Sequence, residues 1–168
     1  MLKHVLVPLD GSQLAEAALS YAKSVVSPGG RISLLTVVGQ PDIPFYEFYP
    51  TPHVVTQEYD EAMADAVPFA RNYLSNIASV ALASSTITVD FDVTSGDAAQ
   101  GIVAAARHLK VDVIVMSTHG RSGLGLWLFG SVTNKVLTTA PCPVLVVPNR
   151  QAKQDVTTES PLESVGMH

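Results

Sequence analysis

The run from Val111 to Val147, VDVIVMSTHGRSGLGLWLFGSVTNKVLTTAPCPVLVV, leaves little freedom in how the chain folds. It opens on Val111 to Met116, apolar but for Asp112, which is what a strand covered on both faces requires. A glycine-rich loop follows, then a helix opening at Gly130-Ser131, then a Pro-Cys-Pro stop and a second apolar stretch, Val144 to Val147. Glycines let a backbone come close to a ligand, and the unpaired amides and dipole of a helix N-terminus face negative charge. The stretch therefore reads as an anion seat, and a phosphorylated ligand is expected there.

The rest of the chain repeats the alternation of strand and helix. His4 to Pro8 (HVLVP) is a short apolar strand closed by Asp10-Gly11-Ser12, whose turn chemistry leaves Asp10 at its carboxyl end. Ser12 can cap a helix on which Leu14, Ala18, Tyr21, Ala22, Val25 and Val26 recur at helical spacing, and Ser27-Pro28-Gly29-Gly30 is expected to end it. Arg31 to Val38 (RISLLTVV) is the second strand. Pro41, Pro44, Pro50 and Pro52 argue for a loop over residues 40–52. Its Phe45, Tyr46, Phe48 and Tyr49 either pin that loop to the body or cover a pocket or partner surface. Helical spacing runs from Val54 to about Leu82, with a kink or a break into two helices expected at Pro68. Ile87, Val89, Phe91 and Val93 alternate with Thr88, Asp90 and Asp92, the pattern of a strand at the margin of a sheet. Asp97 caps a further helix that ends near Lys110. Residues 149–168 lack an apolar period and are read as a tail, which leaves residues 1–148 as one domain.

This order predicts an α/β fold, a doubly wound five-stranded parallel sheet with helices on both faces and right-handed crossovers. Ligands of such sheets sit at the carboxyl ends of the strands, where the winding reverses. If the first and fourth strands flank that reversal, Asp10 and the loop from Ser117 to Ser131 share one crevice.

Composition narrows the partners. Apolar residues make up 47% of the 168 and charged ones 15%, which fits a sheet covered on both sides. A formal net charge of −5 without a run of Lys or Arg gives no footprint for nucleic acid or an anionic membrane, and no apolar run approaches the ~18 residues of a membrane span. Cys142 stands alone between two prolines, so a reducing compartment is expected, and no signal-peptide pattern opens the chain. Other phosphate loops fail on their mechanics. No Lys follows a glycine, so there is no P-loop, and the first strand's turn has no dinucleotide fingerprint. Gly120-Arg121-Ser122-Gly123 is one residue short of a nucleophile elbow, and the histidines show no metal-binding pairing.

Ser117-Thr118-His119-Gly120, nine residues, then Gly130-Ser131 resembles the signature G-x2-G-x9-G-[ST] of the universal stress protein family. GRSGLGLWLFGSV followed by PCPVLVVP is similar to that family's C-terminal half, and with the VLVPLDGS opening the resemblance covers about residues 2–148. The chain departs from the pattern at Ser117, where the family has its first glycine. The resemblance implies a Rossmann-like adenine-nucleotide-binding fold of strand order 3-2-1-4-5, with ATP, ADP or AMP and Mg²⁺ as ligands. Gly120, Gly130, Ser131 and the amides of Val132 and Thr133 would hold phosphates. Asp10, next to Leu9, would bind the ribose hydroxyls or act as metal ligand to a Mg²⁺ that bridges to the phosphates. Pro8, Val37 and Met116, beside Ser117, would form an apolar slot for adenine, although Val37 and Met116 taken singly read as core. His119 reads equally as a phosphate donor or a structural hydrogen bonder, and Arg121 as a phosphate ligand or a solvated side chain.

The family resemblance also implies a homodimer paired through the last strand, Pro143 to Pro148, with the tail able to cross onto the partner. The function implied is a cytoplasmic, ATP-binding, nucleotide-responsive sensor or modulator. No general base, nucleophile or arginine clamp is placed for efficient phosphoryl transfer. Two alternatives stand beside it: an interaction protein of the same fold without nucleotide, and a slow ATPase using Asp10 and Mg²⁺.

Overall fold

A computed structural model describes residues 2–39, 52–82, 86–118 and 130–148. Its elements run β1 (Leu2–Pro8), α1 (Gln13–Val25), β2 (Val26–Val38), α2 (Pro52–Leu82), β3 (Thr88–Ser95), α3 (Ala98–Leu109), β4 (Val113–Ser117), α4 (Ser131–Thr139) and β5 (Val144–Val147). The strands form one parallel sheet in the order β3-β2-β1-β4-β5. This is the expected doubly wound α/β architecture, with its reversal between β1 and β4.

The period of two in the central strands divides their side chains between two cores. Val5, Val7, Ile32, Leu34, Val113 and Val115 face α1 and α2, where Ala15, Ala18, Ala22, Leu74 and Ala78 meet them. Leu6, Leu35, Ile114 and Met116 face the other side and pack on Ala99, Ile102, Val103 and Ala106 of α3 and on Val136 of α4. Both faces are thus covered, which explains why these strands are so dense in apolar residues. Leu6 and Ile114 are wholly buried, and trimming either to Ala would cost about 2–5 kcal/mol. β3 pairs with β2 alone among the described residues, and its acids meet arginines at the surface: Arg31 with Asp90 at 3.4 Å and Arg71 with Asp92 at 3.9 Å.

One local expectation is corrected and another is narrowed. Ser27-Pro28-Gly29-Gly30 does not separate helix from strand, because α1 stops at Val25 and β2 starts at once at Val26. Leu2 pairs with Val26 and His4 with Arg31, so β2 bulges between these pairs. Gly29, at φ +75°, takes a backbone conformation inside that bulge that L side chains rarely adopt. Nor does Pro68 divide the helix around it, since α2 is continuous from Pro52 to Leu82. Ala70, Leu74, Ala78 and Ala81 are buried, and α2 packs along β3 and β2, so tertiary packing outweighs the hydrogen bond that proline cannot make. β4 begins at Val113, and Asp112 before it accepts hydrogen bonds from the amides of Lys3 (2.6 Å) and His4 (2.9 Å). No helix among the described residues is long and apolar enough to cross a membrane.

Candidate functional site

The exit of β1 is pinned to β2 by two bonds around Leu9: its amide donates to the Leu35 carbonyl (2.8 Å), and its carbonyl accepts from Thr36 Oγ1 (2.9 Å). Gly11, at φ +83°, then reverses the chain, a conformation that a Cβ would oppose. Asp10 Oδ1 accepts from both the amide (3.0 Å) and the hydroxyl (2.6 Å) of Ser12, whose Oγ in turn accepts from the Ala15 amide (3.1 Å). Ser12 therefore caps α1 and fixes the carboxylate in the same stroke. Asp10 is half-buried, and both of its bonds fall on one oxygen.

The exit of β4 is tied to the start of α4. Thr118 donates its amide to the Val147 carbonyl (3.1 Å), and Gly130 donates its amide to the Thr118 carbonyl (3.1 Å). The buried Thr133 hydroxyl donates toward the carbonyls of Ser117 (3.3 Å) and Thr118 (3.5 Å). Its hydroxyl is thus committed to holding the helix against the strand. The first intrahelical bond of α4 runs from Asn134 to Gly130, so the helix itself supplies no acceptor for the amides of Ser131, Val132 and Thr133. Gly130 caps α4 without a side chain. A Cβ there would meet only the Thr118 carbonyl oxygen, at an ordinary 3.6 Å, and its φ is −55°. What this glycine keeps clear is space in front of the helix.

Between these two exits lies a hollow of about 110 Å³ at the carboxyl edge of the sheet. Pro8, Leu9, Asp10, Val37, Met116 and Ser117 line it, with Val132 from the first turn of α4. The structure thus brings together, at the reversal point, residues widely separated along the chain. Ala15, Leu35, Ala98 and Ile102 also line it among the described residues and were not singled out from the sequence, because apolar residues without chemistry look like core wherever they stand. Gly101 shapes the wall indirectly. A Cβ on it would lie 2.9 Å from Val37 Cγ2, so α3 approaches β2 as closely as it does only because a glycine is there. Gly130, Ser131 and Thr133 do not line it; they flank Val132 on and just before the first turn of α4. His119, Gly120 and Arg121 lie outside the described residues, as do residues 40–51 and 149–168. Among the described residues no three His, Cys, Asp or Glu side chains are grouped to hold a metal.

The profile described as Universal stress protein family matches residues 1–148. This chain belongs to the universal stress protein family. A universal stress protein of Thermus aquaticus is 32% identical to it over 148 residues, covering 88% of this chain and 99% of the relative. The solved structure of MJ0577 of Methanocaldococcus jannaschii is 28% identical and superposes with a TM-score of 0.74, covering 89% of this chain and 98% of that one. Two more distant solved proteins carry ligands. An Arabidopsis thaliana universal stress family protein has AMP bound (15% identical, TM-score 0.56, coverage 92% and 97%). Another universal stress protein is in complex with cAMP (21%, TM-score 0.51, coverage 87% and 97%). At these identities they share the fold with the present universal stress protein.

Proposed function

We propose that this universal stress protein binds an adenine nucleotide, ATP with Mg²⁺ foremost, in the hollow between the exits of β1 and β4, and that it acts as a nucleotide-responsive sensor or modulator. The observation that carries this reading is the convergence of an apolar slot, a carboxylate and a helix N-terminus on one hollow at the sheet reversal. The base would lie among Pro8, Val37 and Met116. The phosphates would extend over the rim to the amides of Ser131, Val132 and Thr133, in the space that Gly130 keeps open. Gly120, His119 and Arg121, which lie outside the described residues, would add phosphate contacts. Asp10 would use Oδ2 for a ribose hydroxyl or for Mg²⁺. With no group of three His, Cys, Asp or Glu side chains among the described residues, it suits a cation that takes its other ligands from phosphate oxygens and water. Relatives of the same fold that hold AMP and cAMP support an adenine ligand.

Two copies would pair through the outer edge of β5, beside which no further strand lies among the described residues. The function needs no catalytic step, and at most slow hydrolysis of ATP is expected.

Acid extraction of the purified protein followed by nucleotide identification, together with calorimetric titration of adenosine, AMP and MgATP, tests the reading. Co-purified or titratable adenine nucleotide, weakened at least tenfold by Asp10→Ala or Gly130→Val, is the expected result. An empty extract with no heat at millimolar MgATP overturns it and favours the nucleotide-free interaction protein, for which the Cβ of Ser117 in the lining is the motivating feature.

A further inference from the structure

α3 and α4 both begin at the carboxyl edge of the sheet, and the hollow runs between their first turns, with Ala98 on one side and Val132 on the other. The residues that hold these two turns in place stand next to that lining. Asp97, the residue before Ala98, accepts from the Gln100 amide on Oδ1 (2.8 Å) and so caps α3. Its second oxygen, Oδ2, accepts from Lys135 Nζ of α4 at 3.1 Å. One carboxylate thus serves both helices, one oxygen each. Lys135 lies at the i+4 position from Ser131, on the same flank of α4 one turn along. On the far side α4 is held to β4 through Gly130 and Thr133.

We propose that the Asp97–Lys135 pair is a bracket that sets the separation of the first turns of α3 and α4, and through it the affinity of the hollow for its nucleotide. This rests on the nucleotide reading above. Both are positioning residues: Lys135 is engaged with Asp97, and the hollow is lined by their neighbours. The pair is about half exposed, with side-chain exposures of 48% for Lys135 and 45% for Asp97. Such a pair is weak and screened by salt, so the expected change in affinity is about threefold to fivefold.

The test uses the full chain with Asp97→Asn, Lys135→Met and the double variant. Asn keeps an oxygen for the α3 cap while removing the charge. Adenosine, AMP and MgATP are titrated against each protein, and amide hydrogen exchange is followed in the first turn of α4. The expected result is the same threefold to fivefold loss for all three ligands, adenosine included, in each single variant and no further loss in the double, with faster exchange at Asn134, whose amide makes the first bond of the helix. If Lys135→Met weakens MgATP and leaves adenosine unchanged, Lys135 touches phosphate directly and the bracket is overturned. Wild-type affinities in all variants, or additive losses, also overturn it while leaving the nucleotide reading intact. A wild-type protein that binds none of the three overturns both.

Discussion

His4 stands on the central strand with its ring Nε2 2.8 Å from Ser33 Oγ. Burial is the largest influence on it and lowers its pKa below the usual 6.5, with Arg31 adding to the effect and Asp90, Asp112 and a hydrogen bond to the Leu109 backbone opposing it. Below that usual value the unfolded chain therefore binds more protons at this position than the folded one. The stability His4 contributes is complete above pH 6.5 and is lost as pH falls through its lower folded value. His4→Gln, which keeps a polar side chain but cannot titrate, is expected to show a smaller fall in Tm from about pH 7 to about pH 5 than wild type. Parallel melting curves for the two proteins would show that burial of this ring is not the cause. Gly101 makes a second prediction at the same scale. Ala there gains about 1 kcal/mol in helix propensity. Its Cβ, 2.9 and 3.2 Å from the two Val37 methyls, displaces a stiff β-branched side chain at a cost of about 1–3 kcal/mol. Urea unfolding should therefore find Gly101→Ala less stable by about 1 kcal/mol. Nucleotide affinity should fall with it, because Val37 lines the hollow.

Among the elements, α2 carries the clearest untapped stability. Pro68 is exposed in the middle of a continuous helix and cannot donate to the carbonyl one turn before it. Pro68→Ala is expected to raise the midpoint of urea unfolding by an amount equivalent to about 1–3 kcal/mol. An unchanged or lower midpoint would mean that the proline sets a helix geometry the sheet needs. α4 offers the converse case. Thr133→Val keeps the buried shape and removes the hydroxyl that reaches the Ser117 and Thr118 carbonyls. It should cost about 1 kcal/mol by thermal unfolding and loosen the helix N-terminus. The helices and strands were largely legible in the sequence because each carries its own period, and the caps Ser12 and Asp97 are read directly from residue type. The bulge at Ser27 to Gly30 was not, since Pro-Gly-Gly signals a turn while the partner that turns it into strand, Leu2 to His4, lies far back in the chain. Pro68 left a break open for a related reason: propensity is local, and the buried alanines that keep α2 whole act through the sheet.

At the scale of the molecule, Asp10 and the Gly130-Ser131 helix start could be proposed from the sequence, because strand alternation implies a reversal and a reversal implies a crevice. Ala15, Ala98 and Ile102 could not, since their place in the lining exists only once α1 and α3 have docked. The same sheet order makes β5 a margin. The Ile114 amide donates to the Pro143 carbonyl and the Thr118 amide to the Val147 carbonyl, so the backbone groups of Val144 and Val146 alternate outward. Val146→Pro removes an outward amide and spares the ladder with β4. If two copies join along this edge, light scattering should find the variant at half the wild-type mass with unchanged circular dichroism. A variant that stays at wild-type mass would rule out this edge as the junction.

Strand β1 has one neighbour, β2, that follows it closely along the chain, and another, β4, that is reached only at residues 113–117. A ribosome makes this strand before either neighbour yet cannot finish its surroundings until β4 has emerged, more than a hundred residues later. In the interval the newborn sheet offers one bare flank, which is the kind of surface that holding chaperones cover. Asp10 is likewise translated well ahead of the helix start it faces across the hollow, which comes more than a hundred residues later. A nascent chain stalled before Val113 would therefore hold a carboxylate with nothing to work with, and any stabilisation by small ligands arrives only once α4 has been made.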